Sequence, residues 1–263
     1  MASRLIDRLH EGAVVYGTGV LSTCALWPGA VKSCNLDFVF LDSEHIPLNR
    51  SELAQQCQIY RSMGIPPLVR IFNQDPYEAC KVLDGGAAGV IVPYLEEAEK
   101  IRQLIAAVKW RPLKGQYLSR YSQKPAEMPA ALIPYLQQRN QETVFIANIE
   151  SMPAVHHLDE ILTLPGLDGI FIGPHDLSCS MGLPEQYEHP EFEQVVKTII
   201  HQARARNVAI GIHFSESPQQ QIRWLAEGIT IVIHSSDISL FRQALAGDMA
   251  IIKSAVALLP EKK

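Results

Sequence analysis

The stretch Val144-Phe145-Ile146-Ala147-Asn148-Ile149-Glu150 is apolar at its start and ends in a carboxylate. Leu167-Asp168-Gly169-Ile170-Phe171-Ile172-Gly173-Pro174-His175-Asp176 repeats the device a little further on. Near-continuous apolar runs of this kind are what strands buried on both faces of a parallel sheet require. An ionised carboxylate at the end of such a strand is costly unless a positive partner stands beside it, such as a metal, an arginine or a substrate. These stretches therefore predict the fold and pose the functional question together.

The alternation continues outward in both directions. Upstream, strands are predicted at Val14–Gly19, Asp37–Asp42, Pro67–Arg70 and Gly89–Pro93. Downstream they are predicted at Val208–His213 and Ile229–His234. Between them lie helix candidates: Leu21–Lys32 interrupted near Pro28, one capped by Asn49 with Glu52 as its reciprocal partner, and others at Asp75–Leu83, Glu96–Val108, Pro153–Leu162, Phe192–Ala205 and Pro218–Glu227. A last helix runs from Asp237 to about Leu259. The segment at about 109–142, rich in Pro, Gln and Tyr, reads as a long irregular insertion with one helix candidate at Glu127–Gln138. Eight strands alternating with helices, and no linker to divide them, predict a single (β/α)8 TIM barrel over residues 1–263.

Composition agrees with one large domain: 263 residues, 47% hydrophobic and 19% charged, with a net charge of −5. The mild negative charge gives no basis for a nucleic-acid or anionic-membrane partner. No apolar run approaches the roughly 20 residues of a membrane span, and the first residues lack a signal-peptide core. The five cysteines form no Cys-x-x-Cys pair, which predicts free thiols and a cytoplasmic setting.

In a barrel of this kind the chemistry sits at the C-terminal strand ends. Those ends carry Gly17-Thr18-Gly19, Asp42/Glu44/His45, Arg70 and Asn73, Pro93-Tyr94, Asn148/Glu150, His175/Asp176, His213 and His234/Ser235/Ser236. None of the ten lysines is there, so a Schiff-base nucleophile is missing. The first strand has no His-x-His, and no Gly-rich loop follows the last two strands to grip a phosphate. Ser215, Ser217 and Ser235 are read as helix caps rather than as an anion site.

Glu150 and Asp176 on adjacent strands suit a hard divalent cation such as Mg²⁺ or Mn²⁺; the plainer alternative is a pair of structural acids bonding loop amides. Arg70 suits an oxyanion or carboxylate, or the neutralising of Glu150 or Glu44. Asp42 is placed to orient the imidazole of His45 as an acid/base dyad. His213 and His234 read equally as further ligands or as polar fillers of the barrel top.

Five motifs in order and in register, Leu41-Asp42-Ser43-Glu44-His45, Val69-Arg70, Leu83 to Pro93, Asn148-Ile149-Glu150-Ser151 and Phe171 to Ser178, resemble the HpcH/HpaI aldolase family, and the resemblance covers nearly the whole chain. It implies a metal-dependent (class II) pyruvate aldolase that cleaves a 4-hydroxy-2-oxo acid to pyruvate and an aldehyde. By the same resemblance Glu150 and Asp176 are the metal ligands, with Mg²⁺ or Mn²⁺ first and Co²⁺ or Zn²⁺ as other choices. PLP and nucleotides have no part. Arg70 stabilises the enolate oxygen, His45 with Asp42 moves the proton, and the surroundings of Asn148, Gly173, Pro174, His175 and Asp176 take the pyruvate end. Asp84 is implied to reach a neighbouring subunit's site in a homo-oligomer, a hexamer or trimer of dimers, with exchanged C-terminal helices.

This chain departs from the family pattern in three places. Asn148 stands where glutamine is usual, Thr18 lies near the place of a common tryptophan, and Gly115-Gln116-Tyr117-Leu118 replaces a Gly-x-Arg-Gly loop. Two other readings stay open at this point: a related 2-oxo acid or acyl-CoA lyase of the citrate-lyase-β type, and a non-catalytic barrel that binds oxo acids.

Overall fold

In the computed structural model, which describes residues 4–214 and 217–256, eight parallel strands close on themselves in chain order. They are β1 (Val15–Val20), β2 (Phe38–Asp42), β3 (Pro67–Arg70), β4 (Gly89–Val92), β5 (Val144–Ile149), β6 (Gly169–Ile172), β7 (Ala209–Phe214) and β8 (Ile231–Ser236). Each pairs in parallel with the next, and β8 pairs with β1. The expected (β/α)8 barrel is the fold.

Side chains alternate faces along a strand, and two buried clusters show the alternation. Val15, Phe38, Phe40, Leu68, Ile91, Val144, Ile146, Phe171, Ala209, Ile231 and Ile233 form the barrel interior, with Leu5, Ile6 and Leu9 of the opening helix Leu5–His10 packed into the same cluster. The intervening residues, among them Val39, Leu41, Val69, Val90, Phe145, Ile170 and Ile210, join the outer cluster shared with the helices. Following the inner phase to the C-terminal ends predicts which polar side chains face the axis. Asp42 is in step with Phe38 and Phe40, Arg70 with Leu68, Asn148 and Glu150 with Val144 and Ile146, and His213 with Ala209. The interior phenylalanines fit because neighbouring strands carry no side chain beside them. A Cβ on Gly17 would lie 2.6 Å from the Phe38 ring, and one on Gly211 would lie 2.7 Å from that of Phe171.

At the opposite end of the barrel a second carboxylate is fully paired. Asp168, 3% exposed, accepts the Phe145 amide at 2.7 Å and lies 2.9 Å from His10 Nε2. Lys109 Nζ binds the same carboxylate and also donates to the Thr143 carbonyl at 2.6 Å. This cluster ties the first helix, the end of helix Ala98–Lys109 and the start of β5 to the β6 entry.

The segment expected to be irregular is largely helical. Gly115–Gln123 and Leu132–Asn140 are helices joined through a 3-10 turn at Pro125–Glu127. Tyr121, Met128 and Leu136, with Trp110, Leu113 and Leu132 around them, form their own small core. That core is assembled from residues far apart in sequence, so periodicity within a short window does not reveal it. Helix Pro174–Ser180, not anticipated, begins at the proline that ends β6. The helix expected at Pro153–Leu162 breaks at His157 into Met152–His156 and Leu158–Ile161. The last helix is described from Asp237 to Val256, and the expected end near Leu259 lies outside the described residues, as does Ser215.

Replacing Asp168 by Ala would leave the Lys109 ammonium and the Phe145 amide without their buried acceptor. A loss of about 3–5 kcal/mol of unfolding free energy is expected in urea titration, with little change in activity per folded molecule.

Candidate active site at the barrel mouth

The polar strand ends converge on a cavity of about 450 Å³ at the C-terminal mouth. Asp42, His45, Arg70, Asn148, Glu150, Gly173, Pro174, His175 and Asp176 all line it, as do Phe40, Ile91, Phe171 and His213. Of the residues given a role by the family resemblance, Asp84 alone is elsewhere; the further strand-end residues Glu44, Asn73 and Tyr94 line an adjoining pocket. It ends helix Pro76–Asp84, its side chain is 61% exposed, and it meets Arg111 Nη1 at 3.2 Å. Within one chain it has no access to the cavity.

One wall is built on β2 and β3, whose register sets Asp42 directly beside Arg70. Arg70 Nε donates to Asp42 Oδ1 at 3.0 Å and Nη2 to Oδ2 at 2.6 Å, a two-pronged pair. The guanidinium stacks over Phe40, 5.5 Å from the ring centre, and its Nε is 3.1 Å from Glu44 Oε2. Burial pushes the Asp42 carboxyl up, but the Arg70 hydrogen bonds and charge outweigh it and hold it below its ordinary range. Burial pushes Glu44 up.

The expected side-chain dyad of Asp42 and His45 is corrected here. Asp42 is spent on Arg70 and on the turn that follows it, accepting the backbone amides of Glu44 at 3.0 Å and His45 at 3.4 Å. The imidazole instead points its Nε2 toward Glu44 Oε2, 3.8 Å away, and is 64% exposed at the rim. Asp42 therefore positions the backbone of the His45 turn, and Glu44 is the carboxylate nearest the ring. Sequence spacing signals closeness in the chain but not which of two carboxylates the ring will face.

The other wall is built on β4, β5 and β6. Glu150 is 2% exposed, and its Oε1 accepts the Tyr94 amide at 2.7 Å while Oε2 accepts Asn148 Nδ2 at 3.2 Å. Burial drives its carboxyl up to about 7; the Tyr94 amide opposes this, and the charge of Asp176 adds to it. Gly173 is required for this arrangement, since a Cβ there would stand 2.4 Å from Glu150 Oε2. Asp176 lies in the first turn of helix Pro174–Ser180, and its Oδ1 accepts the Tyr94 hydroxyl at 3.0 Å. His175 is exposed and faces Glu185, 3.6 Å away. Tyr94 and Glu44 were both expected at strand ends, Glu44 as an acid for Arg70 to neutralise, but their contacts with Asp176 and with the His45 ring were not foreseen.

A buried acid, a second acid beside it and the oxygen of Asn148 make a hard, oxygen-only donor set. Asn148 Oδ1 is buried and has no hydrogen-bond partner among the described residues. An acceptor left unsatisfied next to a carboxylate held near neutrality fits a bound cation, because unpaired buried oxygens are costly otherwise. Among the described residues no group of three or more His, Cys, Asp or Glu side chains is gathered for a metal. Two protein carboxylates would leave the remaining positions of such a cation to substrate and water.

Residues 25–244 match the sequence profile of the HpcH/HpaI aldolase/citrate lyase family. The 2-keto-3-deoxy-L-rhamnonate aldolase of Salmonella gallinarum strain 287/91 is 30% identical over 257 residues, 98% of this chain and 96% of that protein. The enzyme of the same name from Escherichia coli K12 is 31% identical, over 94% of this chain and 92% of its own. The crystal structure of an HpcH/HpaI aldolase from Desulfitobacterium hafniense DCB-2 superposes with a TM-score of 0.83 at 25% identity, covering all of both chains.

The raised Glu150 carboxyl ties the stability of the fold to pH. A folded-state value near 7 lies above the ordinary 4.5, so the folded chain holds a proton that the unfolded chain has lost between those values. The corresponding stability is present below about 4.5 and is lost as pH rises through 7. Cation-free protein should lose up to about 3 kcal/mol on that account between pH 4.5 and pH 8. In urea titrations the Glu150→Gln variant should lack this decline, and an equal decline in the variant would contradict the assignment.

Proposed function

The chain belongs to the HpcH/HpaI aldolase/citrate lyase family and is an aldolase-type lyase, and on that premise we propose that it cleaves a 4-hydroxy-2-oxo acid between C3 and C4, releasing pyruvate and an aldehyde with the help of a divalent cation. The observation that carries this reading is the mouth itself: Arg70 on one wall faces Glu150 and Asp176 on the other across a single cavity.

Glu150 and Asp176 would hold the cation, Mg²⁺ or Mn²⁺ first among the candidates. A divalent cation there supplies a Lewis-acid sink for the charge that develops on the 2-oxo oxygen. Arg70, fixed by Asp42 and stacked on Phe40, offers a preorganised positive charge to the same developing oxyanion without having to reorganise. His45, at the exposed rim and backed by Glu44, takes the proton from the 4-hydroxyl. The C3–C4 electron pair then passes to the three-carbon fragment, the C4 carbon leaves as the aldehyde, and protonation at C3 completes pyruvate. The first-turn amides of helix Pro174–Ser180 at His175 and Asp176 offer donors for the pyruvate carboxylate. No lysine lines the cavity among the described residues, in keeping with this route.

The reading extends to assembly. Helix Asp237–Val256 carries Ile238, Leu240, Phe241, Leu245, Ile251 and Ile252 exposed, a surface that favours a homo-oligomer with exchanged terminal helices. In such an assembly Asp84 would serve a neighbour's site, since it has no access to its own. Free thiols at all five cysteines support a cytoplasmic setting.

Proton exchange tests the chemistry. With Mg²⁺ or Mn²⁺ and pyruvate in D₂O, the methyl signal should disappear from the proton spectrum, and the rate should fall at least roughly 100-fold in Glu150→Ala and Arg70→Ala. Failure to exchange with any of Mg²⁺, Mn²⁺, Co²⁺ or Zn²⁺ would contradict the proposal. Light scattering tests the assembly: the intact chain should elute as an oligomer, and a chain ending at Ser236 should not.

A further inference from the structure

Tyr94 follows β4 in a conformation that L-residues seldom adopt, with φ at +50°. A bulky side chain persists in such a conformation only where its surroundings over-determine it, and such outliers gather at functional sites. The surroundings here are specific. Gln74 Nε2 binds the carbonyls of both Pro93, at 3.0 Å, and Tyr94. On the other side the Tyr94 amide donates to Glu150 Oε1 at 2.7 Å, and its hydroxyl donates to Asp176 Oδ1 at 3.0 Å. One residue thus holds both carboxylates, one just past β5 and the other in the first turn of the helix after β6.

The two bonds are not equivalent. Glu150 is buried and has a second donor in Asn148, so it is fixed without the tyrosine ring. Asp176 is only half-buried. Among the described residues the Tyr94 hydroxyl is the one hydrogen-bond donor to its side chain. Repulsion from Glu150 would favour rotation of Asp176 away from the cavity, toward water. The amide bond to Glu150 requires only a backbone, and glycine would supply it without strain. The hydroxyl bond alone requires tyrosine.

We propose that Tyr94 is a positioning residue that holds Asp176 turned toward Glu150, so that both carboxylates are aligned before a cation arrives. The inference rests on the cation reading of this pair. Tyr94 leaves one Asp176 oxygen without a hydrogen bond from the described residues and fixes its direction, the task that outer partners of ligating carboxylates perform. Gln74 acts one step further out, by holding the carbonyls of the strained turn.

The test is Mn²⁺ binding followed by electron paramagnetic resonance, which reads the free ion and does not depend on turnover. Tyr94→Phe keeps the ring and the amide and removes only the hydroxyl. It should weaken Mn²⁺ binding roughly 10- to 100-fold while leaving the circular dichroism spectrum and the urea midpoint of the cation-free protein unchanged. In an Asp176→Ala background the same substitution should change the remaining affinity no further. Unchanged affinity in Tyr94→Phe, beside wild-type protein that binds Mn²⁺ through Glu150, would overturn the role of Tyr94 and leave the cation reading standing. Wild-type protein that binds no Mn²⁺ would overturn the cation reading and this inference with it.

Discussion

The Glu150 carboxylate is buried to 2% exposure at the top of a hydrophobic barrel, with two neutral donors and, among the described residues, no cationic side chain bonded to it. Water would solvate that charge far better than these two donors do, and the carboxyl accordingly stays near neutrality, at about 7. The surrounding structure is arranged around that cost. Gly173 leaves room for the carboxylate, the strained turn at Tyr94 presents an amide to it, and Asn148 brings an amide group whose oxygen is left unsatisfied beside it. At the other end of the barrel, Asp168 is just as buried but has Lys109 and His10 as partners. The contrast separates a fully paired acid from one left with neutral donors, the acid proposed to hold the cation.

The barrel gives that contrast its location. Strand alternation sends every second side chain to the axis, so a single phase runs from the phenylalanine and isoleucine layers up into the polar mouth. The apolar layers exclude water from below and fix the strands. The charged layer above them inherits that rigidity, which is why Arg70 can be aimed by a cross-strand partner and an aromatic face instead of by a flexible loop. His45 and Asp176 stand further out, on segments several residues beyond the strands, and the nearest side-chain partners of each are Glu44 and Tyr94 respectively.

Much of this was legible in the sequence, because the pattern that specifies a parallel barrel also specifies where its reactive end lies. Val144–Glu150 and Leu167–Asp176 read as buried strands with carboxylates at their ends, and the structure gathers every residue given a role by the family resemblance except Asp84. Asp84 did not follow because it ends a helix rather than a strand. The partner of His45 was misread, since Asp42 and Glu44 are both close in sequence and only the register of β2 against β3 assigns Asp42 to Arg70. Between residues 109 and 142 the helix Leu132–Asn140 overlaps the one expected at Glu127–Gln138, whereas Gly115–Gln123 was missed because the small core it packs on joins Trp110, Tyr121, Met128 and Leu136 across turns that no single window spans. Tyr94 is invisible for a different reason: nothing in a sequence announces a left-handed tyrosine.

The proposed chemistry needs a cation seated between Glu150 and Asp176 and turned toward Arg70. Anomalous diffraction at the manganese edge, from crystals grown with Mn²⁺ and oxalate as a stand-in for the pyruvate enolate, addresses this directly. One strong peak should lie within coordinating distance of both carboxylates, with oxalate between it and the Arg70 guanidinium. A peak at any other place in the chain, or oxalate bound in the mouth with no metal beside Glu150, would contradict it.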